Sequence, residues 1–106
     1  MPKFMLQASY TSAGAKGVMK EGGSSRRKTV EQMIQKLGGR MEAFYFAFGD
    51  ADAYVIAELP DTVAATALSM VVNSSGGATL RTIPLIDPEE IDEATKKTVA
   101  YRAPGS

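Results

Sequence analysis

Three observations predict an α+β fold built on one antiparallel four-stranded sheet. Four segments have the alternating or two-sided apolar character of strands, two segments between them have helical spacing, and Gly, Pro and Asp punctuate the joints. Their order is strand, helix, strand, strand, helix, strand, which is the ferredoxin-like βαββαβ arrangement. An extra helix follows the first strand, and another closes the C-terminal end. The 106 residues make a single domain, 1–106, with 99–106 as a C-terminal tail.

Each element follows from local chemistry. Lys3 to Tyr10 alternates, with Phe4, Leu6, Ala8 and Tyr10 on one face, and reads as the first strand. Thr11 to Glu21 forms a short helix that Gly22-Gly23 breaks. Ser24 or Ser25 is the expected cap of a second helix whose Val30, Met33, Ile34 and Leu37 share a stripe, and Gly38-Gly39 ends it. Arg40 to Phe48 is a strand with apolar groups on both faces, and Gly49-Asp50-Ala51-Asp52 turns it into a third strand, Ala53 to Leu59. Pro60 closes that strand, and Asp61 caps a helix from Thr62 to about Asn73. Ser75-Gly76-Gly77 leads into the fourth strand, Ala78 to Ile86. Asp87-Pro88-Glu89-Glu90 starts the last helix, with carboxylates at the positive end of its dipole, and the helix runs to Lys97 or Thr98.

Composition removes much chemistry. There is no His, no Cys and no Trp, so imidazole bases, thiol nucleophiles, disulfides and zinc ribbons are excluded. No cofactor or metal is expected. Formal net charge is +0, the basic residues lack interleaved aromatic platforms, and nucleic acid is not an expected partner. No segment approaches the roughly 18 apolar residues of a membrane span, and no signal h-region is present, so a cytoplasmic protein with no membrane partner is expected.

Helices cover one face of the predicted sheet. If Ala43, Ala47, Ala53, Val55 and Ala57 face them, Phe44, Phe46, Phe48, Tyr54, Ile56 and Ile83 lie on the open face, where a partner subunit's sheet or a ligand must cover them. The helix from Thr62 lies in a stretch with no charge between Asp61 and Arg81, which is either a second interface or a bland Ala-rich surface.

Several segments also carry a resemblance: Glu21-Gly22-Gly23-Ser24-Ser25-Arg26-Arg27, Leu37-Gly38-Gly39-Arg40-Met41-Glu42-Ala43-Phe44-Tyr45, Phe48-Gly49-Asp50-Ala51-Asp52, Glu58-Leu59-Pro60-Asp61, and Lys96 to Tyr101. Together they resemble the GYD-domain family, small bacterial proteins of the dimeric α/β-barrel group, almost from end to end. The resemblance implies a ferredoxin-like subunit that pairs sheet to sheet as a dimeric α/β barrel. The family's G-x-Y-D turn stands here with Ala51 at the Tyr position.

Three constellations are candidate sites. Ser24, Ser25, Arg26 and Arg27 follow two glycines at a helix N-terminus, where unpaired N–H groups and guanidinium groups suit an anion; a helix cap with solvated or subunit-bridging arginines is the competing reading. The near match to a P-loop fails because Gly23 stands where the phosphate-binding lysine belongs. Alternation groups Gln7, Glu42, Tyr54, Glu58 and Arg81 with Phe44 and Phe46 as a ligand cavity on the open face. Glu58 is the catalytic candidate there, a general base for proton transfer or oxygenation without a cofactor, unless Glu58 or Glu42 pairs with Arg81 or Arg40. Asp50 and Asp52 read as turn residues rather than metal ligands.

Charge is segregated along the chain, +6 over residues 1–40, −9 over 41–95 and +3 over 96–106. Opposite blocks can meet between subunits in a head-to-tail contact or interleave within one subunit. The leading expectation is a homodimer or higher homo-oligomer that assembles through its sheet and holds a small ligand or anion. The competing expectation is a small cofactor-free enzyme using the barrel cavity.

Overall fold

The computed structural model describes residues 1–106. It contains β1 (Lys3–Tyr10), α1 (Ser12–Glu21), α2 (Gly23–Lys36), β2 (Arg40–Phe46), β3 (Ala53–Glu58), α3 (Thr62–Ser74), β4 (Ala78–Leu85) and α4 (Pro88–Ala94). This is an α+β fold. The strands lie in the order β2-β3-β1-β4 with every neighbouring pair antiparallel, which fits the ferredoxin-like arrangement. No helix is long and apolar enough to cross a membrane.

Helix ends follow capping chemistry, with one departure from expectation. Thr11 Oγ1 accepts from the Gly14 N–H at 3.1 Å and donates to the Gly76 carbonyl at 2.8 Å, tying the start of α1 to the turn before β4. At Gly14 an added Cβ would collide with the Gly77 carbonyl oxygen, so α1 meets that turn backbone to backbone. Gly22, at φ +89°, separates α1 from α2: its N–H donates to the Val18 carbonyl at 2.8 Å and its carbonyl accepts from Arg26 N–H at 3.2 Å. Gly22 is therefore the N-cap of α2. Ser24 and Ser25 fall inside the first turn and cap nothing, because the helix starts as soon as the φ-positive glycine has reversed the chain. At its other end, bonds from Gly39 N–H to the Ile34 carbonyl and from Gly38 N–H to the Gln35 carbonyl, 3.0 and 2.9 Å, form a Schellman closure. Asp61 caps α3 as expected, accepting from Ala64 N–H at 2.8 Å.

The core lies between the helices and one face of the sheet. Phe4, Leu6, Val55 and Ala57 from the strands meet Ile34 of α2 and Ala65 and Leu68 of α3, with Leu59 closing the end. Ser69 and Thr82 join hydroxyls between α3 and β4. The Asn73 side chain makes reciprocal bonds with the backbone of Leu80 on β4, accepting at 2.6 Å and donating at 3.2 Å.

Strand β2 departs from simple alternation. Met41 lies opposite Ala57 and Ala43 lies opposite Ile56, so Glu42 is the extra residue of a bulge. One inserted residue exchanges the faces of everything after it. Phe44 and Phe46, opposite Val55 and Ala53, therefore lie on the helix-covered face rather than the open one, and Ala43 and Tyr45 take the open positions. Phe44 packs against the core, its ring edge-on to Phe46 with centroids 5.0 Å apart. The strand stops at Phe46, short of the expected Phe48: Ala47 N–H still donates to the Asp52 carbonyl, and the chain then bends through residues 48–50. Phe48 stands fully in solvent on that turn, not on the sheet.

The C-terminal segment is built differently. Helix α4 ends at Ala94, short of the expected Lys97, and it buries no residue. Residues from Ile86 to Ser106 are all exposed.

Candidate functional site

The open face is organised in rows that cross the strands. Register places Arg40, Glu58, Lys3 and Leu85 in one row, Ala43, Ile56, Met5 and Ile83 in the next, and Tyr45, Tyr54, Gln7 and Arg81 in a third. Ser9 and Thr79 continue the face beyond them. The first row is charged, the second apolar, and the third pairs phenol rings with an amide and a guanidinium.

Three of the expected ligand-cavity residues, Gln7, Tyr54 and Arg81, thus stand side by side. Glu58 is on the same face but two rows away. Its Oε2 accepts from Arg40 Nη2 at 2.9 Å, while Glu42 receives Arg40 at 3.6 Å and Lys3 at 3.2 Å. Both carboxylates of the set are therefore tied to cations of the charged row, and neither contacts Arg81. Phe44 and Phe46 leave the set because the bulge turns them to the other face.

The α2 N-terminus also separates the residues expected to act together. Ser24, Ser25 and Arg27 are exposed, whereas Arg26 is half-buried with its Nε enclosed. Adjacent helical residues are about 100° apart around the axis, so Arg26 and Arg27 cannot share a face. In the turn after β2, Asp52 is structural: its N–H donates to the Ala8 carbonyl and its Oδ2 accepts from Tyr10 N–H, both at 2.8 Å. No three acidic groups converge as metal ligands anywhere in the chain.

Some residues have a place in these arrangements that the sequence alone does not signal. Tyr45 completes the third row only because of the bulge. Tyr10 and Met33, read as strand and helix packing, line a cavity beside Arg26. Their apolar character carries no mark distinguishing a cavity wall from a filled core.

Comparison with protein-family models finds the GYD domain over residues 4–95 of the 106-residue chain. The chain belongs to the GYD-domain family. No curated protein and no solved structure matches it. In this GYD domain the turn position expected to hold Tyr is Ala51, a residue only 4% exposed, so the position is one of packing. The GYD match begins at the second residue of β1 and ends just after α4, so it takes in all four helices and the rest of the sheet.

Proposed function

We propose that this GYD domain is an assembly unit, a homodimer in which a second copy covers the open face of the sheet. The observation that carries this reading is the row order on that face. An apolar centre flanked by a charged row and an aromatic–amide row has the layout of an interface, a dry middle inside a polar rim. Tyr45, 71% exposed, and Ile83, 38% exposed, leave apolar surface in water that a partner would remove. A second copy fits better than an unlike partner because the face carries both signs, Lys3, Arg40 and Arg81 against Glu42 and Glu58, as a self-complementary two-fold contact needs.

The C-terminal segment adds to this support. Four strands of this length present a flat area of about 500 Å², below the roughly 800 Å² per partner of a standard interface. Residues 86–106 carry Ile86, Ile91, Val99 and Tyr101, each at least half exposed. They stretch the molecule to a radius of gyration of 17.0 Å, against about 13 Å for a compact domain of this size. Such an arm supplies the missing area by packing on the second copy.

The test is native mass spectrometry and sedimentation of the wild type and of Ile56→Lys, which puts a charge in the apolar row. The wild type is expected as an even-numbered oligomer in the micromolar range, and the variant as a monomer with unchanged circular dichroism. A wild type that stays monomeric across that range overturns the reading.

A further inference from the structure

On the helix side of the sheet, a cavity of about 360 Å³ opens between α1, α2 and the C-terminal end of α3. A second, inner part of about 40 Å³ lies beneath α2 against the strands. Tyr10, Arg26, Met33, Val72 and Ala78 line both parts. In the inner part every lining residue except Arg26 is hydrophobic.

Arg26 is out of place in such walls. Its Nε is the only buried side-chain polar atom of the molecule without a hydrogen-bond partner. None of the chain's ion pairs includes it. A position walled by valine, methionine and phenylalanine would serve folding better with an apolar residue, since an enclosed guanidinium N–H without a partner is destabilising. Arg26 is half-buried, and its enclosed Nε–H is a donor that an anion in the cavity would satisfy.

The surroundings define that anion. The walls offer Val18, Met33, Val71 and Val72 to an apolar body, and a volume of this size suits a small molecule. Arg26 is the only cation of the lining, and Glu21 also lines the cavity, which disfavours a dianion such as phosphate. The planar fork of a guanidinium matches a carboxylate with two parallel bonds. We propose that this cavity binds an amphipathic monocarboxylate, its carboxylate on Arg26 and its apolar body along α1 and α3. The site lies on the opposite side of the sheet from the dimer face, so it stands whether or not the chain dimerises.

The test is calorimetric titration and thermal melting of the full chain with octanoate and phenylacetate. Octanol, which lacks the charge, and inorganic phosphate, which lacks the apolar body, serve as controls. At least one carboxylate is expected to bind and raise Tm, and neither control to do so. Arg26→Met should weaken binding about tenfold to a hundredfold, the loss expected for a charged hydrogen bond, while leaving the unliganded Tm equal or higher. Arg27→Met should bind as the wild type does. At Gly17, on the cavity lining, an added Cβ meets nothing within 4 Å, so Gly17→Leu is expected to fold and to fill part of the cavity. It should lose binding without losing stability. The proposal is overturned if neither carboxylate binds, if phosphate alone raises Tm as much, if Arg26→Met binds equally well, or if that variant melts lower when unliganded.

Discussion

On β3, Val55 and Ile56 are chain neighbours with opposite surroundings. Val55 is 4% exposed among Leu6, Phe44 and Leu68, while Ile56 is half-buried in a row with Met5, Ala43 and Ile83. The same division runs through the sheet. The helix-covered face is apolar throughout, with Leu6, Ala53, Val55 and Ala57 beside the rings of Phe4 and Phe44, and α2 and α3 pack on it. The open face alternates charged, apolar and aromatic rows. The first face is complete within one chain. The second has an apolar centre and a polar rim but nothing on top of it, so its residues contribute little to the stability of an isolated chain.

That contrast can be broken by experiment. Leu6→Ala, on the covered face, should cost about 2–5 kcal/mol of unfolding free energy, read from the shift of a urea midpoint. Ile56→Ala should cost less than about 1.5 kcal/mol in dilute solution and, on the proposed dimer, more as concentration rises, since there its apolar contact is made between copies. Equal losses at Leu6 and Ile56 in dilute protein would erase the distinction between the faces. Asp61→Ala removes the cap of α3 and should lower stability by about 1 kcal/mol, visible as a lower melting temperature. Glu58→Gln breaks its pair with Arg40, whose side chain is 66% exposed, and should change stability by only about 0.2–1 kcal/mol, shrinking with added salt. Deleting residues 87–106 should leave the chemical denaturation of the dilute monomer within about 0.5 kcal/mol of wild type, since the segment buries nothing.

The pattern of success along the chain has physical reasons. Strands β1 and β4, the Asp61 cap and the Gly38-Gly39 closure are local in origin, and the structure has them where periodicity and capping chemistry place them. The faces of β2 were not legible, because Met41, Ala43, Phe44 and Tyr45 are apolar on both parities and no residue type marks the bulge at Glu42. Without that bulge the rings of Phe44 and Phe46 would stand on the open face, and with it they lie on the helix side, where an added Cβ at Gly23 would come within 3.0 Å of the Phe46 ring. Alternation puts Gln7, Tyr54 and Arg81 on one face of the sheet, and the strand register, which alternation does not supply, aligns them in one row. Arg26 could not be told from Arg27 by composition, although the helical step between them sends one inward and the other to solvent. The last helix frays after Ala94 because Lys96, Lys97 and Thr98 have no surface to pack against.

The two outermost strands carry a further consequence. On β4, the outward backbone groups of Leu80 are occupied by the Asn73 side chain, and Pro84, of the same parity, has no N–H to offer. On β2, the bulge and the charges of Arg40 and Glu42 disturb the ladder where another chain would dock. Neither edge is a template for an added strand. A chain that leaves one apolar sheet face uncovered is thereby protected from growing sideways into a continuous sheet, and self-association is directed to contacts that close rather than to fibres that extend.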